Sequence, residues 1–206
     1  MFQIDWYFWI KFGFQHILDF NGYDHMLFLL VMFTPLKLKS WRTILWWVTA
    51  FTLGHSLTLA LSVFDVLFIP TNIVENCIAF TILWGASRSI HYVYRKKDLA
   101  LLKRNYGTIA FFGLIHGMGF SNQLKQVTTH TNNLIWELLG FNMGLELGQI
   151  LFLSVLFGIK WASTSRSGKL QWAPDFTHKF ELGILIAAWI CGLWMSIDRI
   201  VNSSLN

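Results

Sequence analysis

Six apolar runs of roughly membrane-spanning length, set between short polar connections, constrain this chain more than any single motif does. The first ends at Thr34 and Pro35. The others run roughly from Trp41 to Phe64, Pro70 to Tyr94, Tyr106 to Phe120, Ile135 to Trp161 and Phe176 to Ile197. A helix crosses ~30 Å of hydrocarbon in about 20 residues, so each run is read as a candidate span. With 54% hydrophobic and 13% charged residues, the chain is expected to be an all-α polytopic membrane bundle of about six transmembrane helices rather than a soluble globule. Its eleven Trp and nineteen Phe suit faces that meet lipid and anchor at its interfaces. The expected organisation is a single integral membrane domain, 1–206. An aromatic segment, 1–21, lies at the outer interface, the bundle occupies 22–197, and 198–206 form a short tail. Pro70 suits a first helical turn, and Pro35 and Pro174 suit connections. The opening MFQIDWYFWIKFGFQ has no basic leader and no small-residue cleavage site, so it is expected to stay in the mature protein.

The net charge of +5 does not point to nucleic acid, because the bases sit in short loops between the runs. Lys37, Lys39 and Arg42 follow the first run; Arg95, Lys96, Lys97, Lys103 and Arg104 follow the third; Lys160, Arg166 and Lys169 follow the fifth. The loop from Asp65 to Ile69 has no base, and Ser121 to Leu134 has only Lys125. The positive-inside rule then puts the first, third and fifth loops in the cytoplasm of a bacterial inner membrane, with both termini outside.

That orientation gathers the polar residues in the outer half of the bilayer. Asp24 and His25 open the first run, with His16 and Asp19 just before them. Glu75 and Asn76 lie near the outer end of the third run, and His55, beside Ser56, lies deep in the second. His116 is near the outer end of the fourth, while Asn142, Glu146 and Gln149 form a stripe at i, i+4 and i+7 in the fifth. Gly140, Gly144 and Gly148 form a second stripe, suited to close helix packing. Ionisable side chains inside a membrane cost free energy and mark function. Imidazole with carboxylate suits Ni, Co or Zn. His91, His130 and His178 read as interfacial or loop residues, and Cys77 and Cys191 as buried small apolar side chains.

Two runs look broken. Tyr23 to Leu36 is too short to span and follows an Asn21-Gly22 turn signal, and the fourth run is short and ends in HGMGF. Interrupted segments of this kind are a pointer to a transport site. An internal echo accompanies them. Gly13-x-x-His16-x-x-x-Phe20 recurs as Gly113-x-x-His116-x-x-x-Phe120, and Ala50-Phe-Thr-Leu-Gly54 resembles Gly140-Phe-Asn-Met-Gly144. Two three-helix halves with an odd number of helices would be inverted repeats.

In that order, GFQHILDFNGYDHMLFLL, AFTLGHSLTLAL, IVENCIAFTI, FGLIHGMGF and FNMGLELGQ resemble the motif series of the second branch of the HupE/UreJ membrane proteins. The resemblance implies a nickel or cobalt permease with His16, Asp24, His25, His55, His116 and Glu146 at the metal, and Asp19, Ser56, Glu75, Asn76, Asn142 and Gln149 around it or along the pathway. It implies a divalent metal ion and the lipid bilayer as partners, with a second copy or a metalloenzyme-maturation protein as further candidates. Two other readings stay open: an intramembrane zinc hydrolase of a lipid or peptide, and a metal-delivery or assembly subunit without transport. Against the hydrolase, no helix carries an HExxH signature.

Overall fold

The computed structural model describes residues 4–20, 22–37, 40–95, 106–128, 133–167 and 173–204. Asn21, Lys39, Lys96, Lys97, Lys103, Arg104, His130 and Lys169 lie outside the described residues. Among the described ones there are seven helices and no strand: α1 (Trp6–Ile17), α2 (Asp24–Phe33), α3 (Trp41–Val63), α4 (Thr71–Tyr94), α5 (Tyr106–Val127), α6 (Leu134–Ser167) and α7 (Ala173–Ser204). Three stretches are long and apolar enough to cross a membrane: Trp41–Val63, Leu134–Ala162 and His178–Val201. The helices α4 and α5 have 24 and 22 residues, which also suffices in length, but polar side chains interrupt them.

The aromatic amino-terminal segment is a helix. Asp5 caps it by accepting the Phe8 N–H at 3.0 Å. One stripe, Trp9, Gly13 and Ile17, is buried, and that face packs on α6. The most extensive helix contacts join α3 to α5, α1 to α6 and α4 to α7. The first two are backbone to backbone. A Cβ added at Gly13 would collide with the Phe141 carbonyl, and one at Gly144 with the Ile10 carbonyl. Between α3 and α5 the same contact recurs: Gly54 meets the Ala110 carbonyl and Gly113 the Phe51 carbonyl. Gly117 lies against the His55 carbonyl. Small residues allow such approach, and in lipid that packing takes over much of the role burial plays in water.

Several expectations change. The fourth run is not broken, because α5 continues without interruption through Gly117 and Gly119 to Val127. Its glycines serve approach to neighbours, and beyond the apolar part Lys125 pairs with Asp65 at 2.5 Å. Pro174 falls in the first turn of α7 rather than in a connection, where a missing N–H costs nothing. Pro70 is the residue just before α4. Lys160 belongs to α6, not to a loop, and caps the end of α2 by donating to the Thr34 and Leu36 carbonyls at 2.7 and 2.6 Å. His178 is on α7, where its Nε2 donates to the Val93 carbonyl at 2.8 Å. Cys77 and Cys191 are exposed on the outside of the bundle rather than buried. A thiol is apolar enough to face lipid.

Glycine substitutions separate the two kinds of position. Gly13→Ala and Gly113→Ala force helices apart and should each lower stability by about 1–3 kcal/mol or more. Gly158→Ala, with nothing within 4 Å of the added carbon, should leave it unchanged or raise it. Thermal unfolding followed by size exclusion in detergent reads the difference.

Candidate metal centre

α1 ends at Ile17 and α2 begins at Asp24, and this change of helix creates the site. It brings the last turn of α1, carrying His16, against the first turn of α2, carrying His25, with ring centroids 4.7 Å apart. His55 comes from the middle of α3, 5.9 Å from His16 and 5.6 Å from His25 between centroids. One nitrogen from each of His16, His25 and His55 can be chosen so that all lie within 4.8 Å of one another. On the other side of His25, His116 of α5 is 5.1 Å away. His25 is 4% exposed, and His55 and His116 are 0% exposed.

Hydrogen bonding decides which nitrogens face inward. His25 Nδ1 donates to Asp24 Oδ1 at 2.9 Å, and the same oxygen accepts the His25 backbone N–H at 2.8 Å. His116 Nδ1 donates to the Phe112 carbonyl at 2.9 Å. These bonds leave His25 Nε2 and His116 Nε2 as lone-pair donors. Both nitrogens, with His16 Nε2 and both nitrogens of His55, are buried and without a hydrogen-bond partner. Buried polar atoms in folded proteins are nearly always paired, so a concentration of orphaned imidazole nitrogens calls for a ligand. Phe28, Phe51, Phe120 and Phe141 wall the rings, Phe120 lying 3.8 Å from His16 between centroids. Buried imidazoles in an apolar wall suit a divalent ion of intermediate softness, which would take one lone-pair nitrogen each from His16, His25 and His55. A carboxylate holding the far nitrogen of a ligating histidine fixes its tautomer and raises its basicity.

A family model described as HupE / UreJ protein matches residues 3–196. The chain belongs to the HupE/UreJ family. No curated protein and no solved structure matches it.

In this HupE/UreJ protein the remaining polar residues form two groups apart from the imidazoles. The α6 stripe faces α3: Thr49 donates to Glu146 Oε1 at 3.1 Å, Thr52 to Gln149 Oε1 at 3.0 Å, and Ser56 lies 2.6 Å from Asn142 Oδ1 and from the Thr52 carbonyl. Glu146 is therefore engaged by a hydroxyl of α3, and its stripe is a ladder between two helices. The second group lies around the other oxygen of Asp24. Arg199 of α7 sits with Nη2 3.7 Å from Asp24 Oδ2 and Nε 3.9 Å from Glu75 Oε2, and its Nη1 donates to the Glu75 carbonyl. Asn76 returns its Nδ2 to the Asn72 carbonyl at 2.8 Å. Asp19 is exposed in the connection before α2, where its carbonyl accepts the Gly22 N–H at 3.2 Å.

Sequence reasoning missed Arg199 and Thr49. Arg199 was assigned to the tail, yet α7 runs on to Ser204, and a base on the side otherwise poor in bases was the available signal. Thr49, Thr52 and Ser56 recur at i, i+3 and i+7, a helix-face spacing that matches the stripe opposite. Thr52→Val, which keeps the shape and removes the donor to Gln149, should cost about 0.6–1.5 kcal/mol. Ser154→Ala, whose hydroxyl bonds the Ile150 carbonyl of its own helix, should cost less in the same unfolding assay.

Proposed function

We propose that this chain is a permease for a divalent transition-metal ion of the nickel, cobalt or zinc kind. His16, His25 and His55 form the set that holds the ion, His116 is the next imidazole on its path, and Asp24 orients His25. The observation that carries this reading is the meeting of three imidazoles from three separate helices, one nitrogen of each within 4.8 Å of the others, and each ring holding a buried, unpaired nitrogen. The family is linked to nickel and cobalt transport or accessory function, which agrees with that donor set. The ion is cargo, so the site must both bind it and let it go. Imidazoles on the ends of two short helices, α1 and α2, are suited to this, because a small relative movement changes the coordination.

In this reading the chain crosses the membrane six times with both termini outside, and α1 and α2, of 12 and 10 residues and each too short to cross alone, share the first crossing. Two inverted halves are supported by the matching glycine contacts: Gly13 on Phe141 corresponds to Gly113 on Phe51, and Gly144 on Ile10 to Gly54 on Ala110. His16 then corresponds to His116. The echo ends at Phe20, which is exposed beyond α1, whereas Phe120 is buried.

A zinc hydrolase would need a carboxylate base and an available hydroxyl at the imidazoles. Asp24 is held by His25 and Arg199, and Ser56 by α6, which favours the permease. A delivery or assembly subunit would bind the ion without moving it.

Metal analysis of the purified protein tests the site. Wild type should retain about one ion per chain after equilibrium dialysis against nickel, cobalt or zinc, and His25→Ala or His55→Ala should retain none. Asp24→Asn should weaken binding by about 10–100-fold, the usual effect of losing the group that orients a ligating histidine. Uptake into proteoliposomes then separates a permease from a delivery subunit. Absence of stoichiometric metal from the wild type, with all three ions tried, overturns the proposal.

A further inference from the structure

Arg199 of α7 reaches the mouth of the imidazole cluster, and its contacts are with Asp24 and Glu75, the carboxylates an incoming cation would meet. Its guanidinium lies 3.7 Å from Asp24 Oδ2 and 3.9 Å from Glu75 Oε2, and it is fastened by a hydrogen bond to the Glu75 backbone carbonyl. The other oxygen of Asp24 holds His25 Nδ1 at 2.9 Å. The series Arg199, Asp24, His25 thus ends on a ring whose Nε2 is buried and unpaired and which meets His16 and His55. The Asp24 side chain is 12% exposed and Glu75 44%, so the guanidinium lies on the exposed side of Asp24.

From this we infer that Arg199 is a tethered counter-cation that repels the metal ion across Asp24 and so limits how tightly the cluster binds. The inference rests on the metal-binding reading above and deepens it. An arginine cannot lose its charge here. When the cluster holds no metal, Arg199 balances the buried Asp24 carboxylate. When a dication arrives, the same guanidinium repels it across one carboxylate. A permease must release its cargo, and a fixed positive charge beside the ligand set lowers affinity without removing a ligand. The backbone tether through Glu75 keeps the guanidinium near Asp24 while it yields, and Glu75 offers it a second carboxylate to rest against. Arg199 is a positioning residue in this scheme, touching no metal ligand directly.

A purely structural role and a repelling charge predict opposite signs. If Arg199 only holds Asp24 in place, removing it weakens metal binding. If it repels the ion, Arg199→Gln should bind the ion more tightly, by roughly tenfold or more given a charge this close in a partly desolvated site. Arg199→Lys should stay near wild type, and the double variant Asp24→Asn with Arg199→Gln should lose the gain. The readout is the dissociation constant for nickel and for zinc by equilibrium dialysis of detergent-solubilised protein. Should Arg199→Gln not purify in folded form, Arg199→Cys in a Cys77→Ser, Cys191→Ser background serves instead. A thiol reagent that attaches a quaternary ammonium should restore wild-type affinity, and a neutral one of the same size should leave binding tight. Unchanged or weaker binding in the uncharged variants overturns the inference while leaving the metal site intact. A wild type that binds no metal fails the earlier proposal, and this one with it.

Discussion

Helices that touch backbone to backbone are the constraint on which everything else in this protein depends. In lipid there is little hydrophobic force between helices, so close packing must hold them. Gly13 and Gly144 bring α1 onto α6, and Gly54, Gly113 and Gly117 bring α3 onto α5. Most of these glycines sit within about one turn of a buried or half-buried imidazole. Gly13 is one turn before His16, Gly54 adjoins His55, and Gly113 and Gly117 bracket His116. Close approach of the backbones is thus what brings side chains from different helices within bridging distance, and the same contacts limit how far any one imidazole can drift.

The short helix α2 is fixed differently, by charge at both ends. Its first residue, Asp24, is paired to Arg199 of α7, and the Thr34 and Leu36 carbonyls just past its end take the ammonium of Lys160 from α6, itself 2.7 Å from Glu181 of α7. A negative group at a helix start and a cation at its end both favour the macrodipole. Ten residues would be a marginal helix alone, so these clamps and the burial of Phe28, Leu29, Val31 and Phe33 keep it helical. Because α7 supplies a partner at each end, it acts as a brace for the element that carries His25.

Much of this was legible in the chain. Apolar runs marked the helices, the break before Asp24 was announced by a run too short to span, and the histidines stood out because an imidazole in an apolar segment needs a reason. The glycine stripe of α6 read correctly as a packing face, since four-residue spacing leaves one side of a helix without side chains. Less was legible where the cause is a partner. HGMGF looked like a break because glycine has low helix propensity, but α3 packs against Gly117 and α4 against Gly119, and that packing overrides it. Glu146, placed at the metal by the family resemblance, was legible as part of a polar stripe. Its oxygen is engaged by Thr49 on α3, which no local pattern around Glu146 could disclose.

Composition and periodicity by themselves determined that the chain is helical, rich in lipid-compatible surface, and marked by a few ionisable groups that had to be paired. They could do so because helix formation and the cost of burying charge are properties of short stretches of chain. Only the tertiary structure decided who pairs with whom. It set His16, His25 and His55 around one point, turned Asp24 toward His25 and Arg199, and gave Glu146 to Thr49. Those choices depend on crossing positions and rotations of helices far apart in sequence, set by where glycines let backbones meet.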